Sequence, residues 1–164
     1  MWNINNLCKM KKLFMALMLL LACQGMAAQQ AQTVFNEYKT HKKASYYVVP
    51  KTMLGIAGAG LKRGTAKELL NQLEAARVLS LDDCRRGVRR RFAKQVSALA
   101  GKGYEEYGRL KQGDDNILVL IKQTDRYIGE MVVLVTDEDD CMGVLLTGQL
   151  NREDVQAVLG AIDM

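Results

Sequence analysis

Cys84 is the residue of this 164-residue sequence that is best suited to covalent chemistry. Arg85 and Arg86 follow it directly, and we predict that a basic helix begins at Cys84, with Asp82 and Asp83 as its cap. The positive end of a helix and neighbouring guanidinium groups lower the pKa of a thiol, which favours the nucleophilic thiolate. A thiol enzyme also needs a base, and nothing in the sequence places His41, the single histidine, near Cys84. We therefore predict no catalytic residue, with a thiol-dependent enzyme using Cys84 as the alternative.

The sequence carries no motif for a metal or a cofactor. One histidine and four cysteines, two of them near the amino terminus, leave no ligand cluster of the zinc type. The glycines at positions 55, 58 and 60 fit neither a dinucleotide fingerprint nor a P-loop. The acidic segment at 137–140 offers the oxygen atoms that calcium prefers, but it lacks the spacing of a calcium loop. We predict no metal and no cofactor, and we interpret the acidic segment as a charged hairpin turn.

The amino terminus predicts export. Three lysines between positions 9 and 12 precede an apolar run at 13–22, and small residues follow. This order is typical of a secretory signal, and the apolar run is too short to span a bilayer permanently. Residues 1–28 hold three of the 23 basic residues and none of the 18 acidic ones, so their removal leaves a net charge of +2. The basic isoelectric point is therefore a poor indication of nucleic-acid binding.

The sequence is compatible with two processing routes and with one disulfide. Cleavage before Ala28 releases a soluble periplasmic protein, whereas Leu20-Leu21-Ala22-Cys23 resembles a lipobox in which Cys23 is lipidated. That lipid anchor is the sole membrane attachment predicted. We assign residues 1–28 to a signal peptide, 29–32 to a disordered leader and 33–164 to a single domain.

In an oxidising compartment Cys84 and Cys141 are candidates for a disulfide, with two separate buried thiols as the alternative.

The basic run after Cys84 supplies the candidate binding surface. Helical spacing brings several cationic side chains onto one face of the predicted helix. The residues of this predicted polyanion or partner surface are Arg85, Arg86, Arg89, Arg90 and Lys94. Residues 39–102 carry a net charge of +11 and residues 103–164 carry −8. The alternative is therefore that the basic residues are solvated or face the acidic second half of the chain.

Periodicity and turn residues define the elements that must position these side chains. The predicted elements are helix 33–39, strand 45–49, helix 52–61, a helix from 65, strand 77–81, helix 84–100, strands 104–111, 117–121, 131–135 and 144–146, and a helix after Asn151. A strand, a helical region and a strand within residues 45–81 indicate a right-handed parallel crossover. The fold class is therefore α+β with a mixed sheet, in which β-α-β-α precedes a four-strand antiparallel meander and a C-terminal helix.

Two strands of the meander indicate how the sheet is covered. Residues 117–121 and 131–135 are apolar at every position. A strand with one solvated face would alternate between apolar and polar residues. We therefore expect both faces of the sheet to be covered, either by helices or by a partner subunit.

Short motifs spread over residues 33–162 form a recognisable set. They are Phe35-x-x-Tyr38, Val48-Val49-Pro50-Lys51-x-Met53-Leu54, the strand at Leu79, Tyr104-Glu105-Glu106-Tyr107, Val132-Val133-Leu134-Val135 and Thr147-Gly148-Gln149-Leu150. This set resembles small exported proteins of Bacteroidetes that are grouped as a domain of unknown function. The resemblance implies an envelope location, and it brings no activity and no catalytic residues.

We expect an exported cell-envelope protein, in the periplasm or the outer envelope, that is a non-enzymatic binding or accessory protein. Its expected partner is an envelope protein or an anionic envelope component, and nucleic acid is not an expected partner of an exported chain. Two alternatives stay open. One is the thiol enzyme using Cys84, and the other is a homo-oligomer with a structural or stress-associated role in the envelope.

Overall fold

A computed structural model describes residues 30–60 and 64–162 of the chain. Within these ranges six strands form one open antiparallel sheet, and five helices accompany it. The strands are β1 (Ser45–Pro50), β2 (Leu73–Ser80), β3 (Glu105–Gln112), β4 (Asp115–Gln123), β5 (Ile128–Thr136) and β6 (Cys141–Leu150). The helices are α1 (Ala31–Tyr38), α2 (Lys51–Ala59), α3 (Thr65–Gln72), α4 (Arg86–Ser97) and α5 (Arg152–Ile162). The predicted α+β class is confirmed.

The order of strands across the sheet is β1-β2-β6-β5-β4-β3. After β2, the chain passes through α4 and reaches the far edge of the sheet, where β3 begins. Strands β3 to β6 then return as a meander, each antiparallel to the one before it, until β6 lies beside β2. The predicted four-strand meander and the helix that follows it are therefore confirmed.

The predicted parallel crossover, and with it the mixed character of the sheet, is wrong. β1 and β2 pair antiparallel, with Tyr46 opposite Leu79 and Val48 opposite Arg77. The physical reason is that two consecutive helices, α2 and α3, lie between the strands and pack on each other. One helix returns the chain to the starting end of a strand, whereas a pair of helices returns it to the finishing end. The next strand therefore runs in the opposite direction.

Apolar side chains fill both faces of the sheet. In β4, Leu118 and Leu120 join the buried cluster that also contains Phe35 of α1 and Phe92 of α4. The alternate residues of the same strand belong to a second cluster, which packs against α2, α3 and α5. Because successive side chains of a strand point to opposite faces, a strand covered on both sides is apolar throughout. Helices of the same chain thus provide the predicted cover.

Helix α4 begins at Arg86 rather than at the predicted Cys84. Cys84 lies in the turn before the helix, and Arg85 occupies the N-cap position without a side-chain hydrogen bond to the helix. Asp82 does not cap the helix, because its carboxylate accepts a hydrogen bond from the backbone N–H of Cys141 at 2.9 Å. That bond ties the end of β2 to the start of β6.

Helix α1, in contrast, begins earlier than predicted, at Ala31. The leader assigned to 29–32 therefore ends at Gln30. The backbone N–H of Ala31 donates to the buried Tyr104 hydroxyl at 3.1 Å, which fixes the start of the helix. Residues 1–28, assigned to the signal peptide, and the lipidation candidate Cys23 lie outside the described residues. No helix in the described ranges is long and apolar enough to cross a bilayer.

Candidate functional site

The predicted binding surface lies on the outer side of α4 and on the residue before it. Phe92 and Val96 are fully buried, so the helical period turns the basic residues away from the sheet. The exposed members of the surface are Arg85, Arg86, Arg90 and Lys94. Arg89 is half-buried. The structure therefore places four of the predicted residues on α4 and the fifth, Arg85, directly before it.

Arg89 joins α4 to two turns at the end of the sheet. Its guanidinium donates hydrogen bonds to the backbone carbonyl oxygens of Asp82 and Glu138, each at 3.4 Å. These contacts connect the segment after β2 with the acidic turn between β5 and β6. Arg89 is thus engaged within the protein, whereas the neighbouring Arg86 and Arg90 expose their charges to solvent.

A cavity of about 360 Å³ separates α4 from the acidic turns of the sheet, and we call it the mixed-charge cavity. Its charged lining residues are Arg86, Arg89, Arg90, Asp114, Asp137, Glu138 and Asp140. In the described part of the chain, none of these arginines forms a salt bridge with a carboxylate. The basic and acidic halves of the chain therefore do face each other here, but across a cavity rather than through direct ion pairs.

The acidic turn is held together by its own backbone. The Asp137 carboxylate accepts hydrogen bonds from the N–H groups of Asp139, at 2.7 Å, and Asp140, at 2.5 Å. The bond from Asp140 and then that from Asp139 lower the pKa of Asp137, and the resulting negative charge raises the pKa of Asp140. This is the geometry of the predicted charged hairpin turn. Among the described residues, no group of three or more His, Cys, Asp or Glu side chains is placed to hold a metal ion.

A second cavity, of about 440 Å³, lies at the start of α4, and we call it the basic cavity. Its walls come from the loop between α1 and β1 and from the turn that precedes α4. The lining residues are His41, Lys42, Lys43, Asp83, Cys84, Arg85 and Val88. The structure thus places His41 and Cys84 on one cavity, which no sequence pattern indicated.

Several contacts fix the loop that forms one wall of the basic cavity. The His41 ring stacks on the buried Tyr38 ring, with centroids 5.4 Å apart and planes 22° from parallel. The Cys84 thiol donates to the backbone carbonyl of Lys42 at 3.9 Å, and the Ala44 N–H donates to the His41 carbonyl at 3.0 Å. Lys43 takes the left-handed backbone conformation, with φ of 77°. The loop is therefore held on both sides by the core.

The surroundings of Cys84 oppose a reactive thiolate. Burial raises the pKa of the Cys84 thiol, and the negative charge of Asp83 raises it further. The positive charges of Lys43 and Arg89 act in the opposite direction without outweighing these effects. The expected lowering of this pKa is wrong, because Cys84 is buried in the turn before α4 instead of standing at the first position of the helix.

Cys141, the first residue of β6, is a free thiol in the structure, as is Cys84. Both side chains belong to the buried cluster under α1 and α4. Burial, followed by the charge of Asp82, raises the pKa of Cys141 to about 12. Cys84 adds to this rise, so the two thiols interact electrostatically. The disulfide between them stays a prediction.

The basic cavity was missed by sequence reasoning because its two walls are distant in the chain. Lys42 and Cys84, which touch through a hydrogen bond, are separated by 42 positions. The run His41-Lys42-Lys43 after a short helix is the signal that the sequence offers. It marks a basic loop, but it does not reveal which part of the protein the loop meets.

The sequence profile of a family described as "Domain of unknown function (DUF4252)" matches residues 38–158. The match covers the loop between α1 and β1, the start of α4 and all six strands. No curated protein and no solved structure matches the chain. The resemblance to a family grouped as a domain of unknown function is confirmed, and the Bacteroidetes origin stays a prediction.

Proposed function

Because the chain belongs to the DUF4252 family, which is described as a domain of unknown function, we propose its function from its own residues. The protein is an exported cell-envelope protein that acts by binding rather than by catalysis. The lysines and the apolar run within residues 1–28 support export. The exposed basic face of α4 supports binding, and it is the observation that carries the proposal.

The basic face has the chemistry of an anion-binding surface. Arg86, Arg90 and Lys94 are exposed, and none of them forms a salt bridge within the described part of the chain. An arginine presents its N–H donors in a planar fork that fits carboxylate and phosphate groups. The large exposed apolar side chains of the described residues lie on β1 and α2, so this face has no apolar anchor for a protein partner. We therefore infer an anionic component of the envelope as the partner.

Charge reversal on α4 tests this proposal. The variant replaces Arg86, Arg90 and Lys94 with glutamate and leaves Arg89, which holds two turns, in place. Each cation near an anionic surface contributes on the order of 1 kcal/mol, so binding should weaken more than roughly tenfold. Co-sedimentation with vesicles containing phosphatidylglycerol, at low and at physiological ionic strength, measures the effect.

The matched control also reverses three charges, at Lys51, Lys111 and Arg126, which are exposed on α2, on β3 and in the β4–β5 turn. It changes the net charge in the same direction away from α4, and it should lose much less affinity. Equal losses in both variants would mean that net charge alone determines binding. Unchanged vesicle binding in the α4 variant would contradict the proposal, and retained binding to an acidic envelope protein would then identify a protein partner instead.

Localisation has its own test, which does not depend on the ligand. Fractionation of cells followed by intact-mass measurement identifies the mature first residue. The expected mass corresponds either to cleavage before Ala28 or to a lipid-modified Cys23. A protein that stays in the cytoplasm with residues 1–28 attached would exclude export.

One observation favours the thiol enzyme as a second candidate. His41 and Cys84 line the same cavity, so the base that the sequence did not place lies near the thiol. The raised pKa of Cys84 opposes this candidate. Alkylation with iodoacetamide at pH 6 distinguishes a thiol enzyme from a non-enzymatic binding protein. We expect Cys84 to react more slowly in the folded protein than in the unfolded chain. Faster reaction in the folded protein would support an activated thiol.

A further inference from the structure

We propose that the basic cavity binds a phosphate group through Lys42, Lys43 and Arg85. The inference rests on the proposed function and deepens it, since it names the anion and moves the principal site from the middle of α4 to its start. A lipid headgroup and a soluble polyphosphate both present this group. The cavity recognises the chemistry that they share, and the experiment below distinguishes the two sources.

The charge around the two cavities decides between them. The mixed-charge cavity is lined by three arginines and four carboxylates, which leaves no excess of positive charge. The basic cavity is lined by three cationic side chains and His41, with Asp83 as its single carboxylate. Positive potential is therefore concentrated at the basic cavity, and an anion is attracted there in preference to the mixed-charge cavity.

The fixed backbone of the loop favours binding because little ordering is needed when the ligand arrives. His41 is held by its stack on Tyr38, and the carbonyl of Lys42 is held by the Cys84 thiol. The side chain of Lys43 leaves a backbone with φ of 77°, a conformation that residues other than glycine adopt at a cost. Residues held in such conformations are concentrated at functional sites.

The donors of the cavity match a phosphate better than a carboxylate. The Arg85 fork offers parallel N–H donors, and the Lys42 and Lys43 ammonium groups offer three donors each. A phosphate monoester carries nearly two negative charges and three acceptor oxygens near neutral pH. A single carboxylate, with one charge and two oxygens, would leave part of this cationic set without a partner. The volume of about 440 Å³ leaves room for the group that carries the phosphate.

The test titrates the processed, full-length mature protein with inorganic pyrophosphate in a calorimeter at low ionic strength. The first variant is Lys43→Gly, because glycine adopts positive φ readily and removes the ammonium group without straining the loop. The second variant is Arg85→Gln, which keeps an N–H donor but removes the charge. We expect each variant to bind pyrophosphate at least tenfold more weakly than the parent.

Arg126→Gln is the matched control, because Arg126 is exposed in the β4–β5 turn and lines neither of the two cavities. It should change the affinity for pyrophosphate by less than twofold. Thermal unfolding of every variant verifies that the fold is retained. An absence of pyrophosphate binding by the parent overturns the inference, unless vesicles containing phosphatidic acid bind it and Lys43→Gly abolishes that binding. Equal effects of Arg126→Gln and Lys43→Gly also overturn it.

The vesicle measurement distinguishes a lipid headgroup from a soluble phosphate. It also distinguishes failure of the phosphate site from failure of the proposed anion-binding function. Binding to phosphatidic acid vesicles that is lost in Lys43→Gly supports a lipid headgroup, and binding to pyrophosphate alone supports a soluble ligand. Vesicle binding that is lost on reversal of Arg86, Arg90 and Lys94 but kept in Lys43→Gly overturns this inference and leaves the proposed function standing. If neither set of variants changes binding, both are overturned.

Discussion

Because its thiol is buried, Cys141 should make the folded protein less stable as the pH rises into the alkaline range. Burial raises the pKa of this thiol to about 12, whereas a free thiol ionises near pH 8.5. A raised pKa means that the folded state favours the protonated thiol. The contribution of this thiol to the free energy of unfolding is therefore complete below about pH 8.5 and is lost as the pH rises towards 12. Over that interval the free energy of unfolding should fall by up to about 1.4 kcal/mol per pH unit.

The comparison of the parent with Cys141→Ala under reducing conditions measures this contribution. Urea unfolding at several pH values from 7 to about 11 should give a shallower decline for the variant. Tyr104, whose pKa is also raised by burial and by its hydrogen bond to Glu130, contributes to the pH dependence of both proteins alike, so the difference between them isolates Cys141. Parallel curves would show that Cys141 does not titrate in this range.

At the scale of the element, Gly143 of β6 lies against α1 and α4, the two helices that cover one face of the sheet. A Cβ atom at this position would lie 2.7 Å from Cζ of Phe92 and 2.9 Å from Cζ of Phe35. The two rings pack edge to face with centroids 5.6 Å apart, so neither can withdraw without disturbing the other. Gly143→Ala should therefore reduce the free energy of unfolding by about 1–3 kcal/mol, as measured by urea denaturation.

Gly55 of α2 provides the contrast for that substitution. A Cβ atom at Gly55 would meet nothing within 4 Å, and alanine favours a helix over glycine by about 1 kcal/mol. Gly55→Ala should therefore stabilise the protein, whereas Gly143→Ala destabilises it. The same sign for both substitutions would contradict the packing described for Gly143.

The helices and strands could be predicted from the sequence where a local pattern of apolar and polar residues determines them. β4 and β5 follow from unbroken apolar residues, and the outward face of α4 follows from Phe92 and Val96. The direction of β2 relative to β1 depends on how two intervening helices pack, and no local pattern encodes that. The start of α4 was misplaced because the Asp82 side chain bonds to distant Cys141 instead of capping the helix. Four of the five basic residues of the predicted surface lie together because one helix carries them, whereas the basic cavity is formed by two segments that are distant in the chain.

At the scale of the whole molecule, the open sheet ends in two unequal edges. β3 carries charged residues and a bulge between Glu106 and Gly108, features that discourage pairing with another strand. β1 exposes Tyr47 at 63% and Val48 at 48% of their surface. This edge supports the alternative of an oligomer in the envelope.

The mass in solution decides whether that edge is used. If copies of the chain associate through β1, Val48→Lys should convert a dimer into a monomer in light scattering coupled to size-exclusion chromatography. Lys111→Glu on β3, which keeps that edge charged, serves as the control and should leave the mass unchanged. A parent protein that is monomeric at several hundred micromolar would rule out an oligomerising role for β1.

The order of strands also determines when the sheet can be completed. β6 lies between β2 and β5, although it is the last of the six strands in sequence. Until residues 141–150 are available, β1 and β2 form one pair and β3 to β5 form another group, with nothing to join them into one sheet. Pairings between segments so far apart in the chain form slowly. If the chain crosses a membrane unfolded with its amino end first, the sheet can therefore be completed only after residues 141–150 have emerged on the far side.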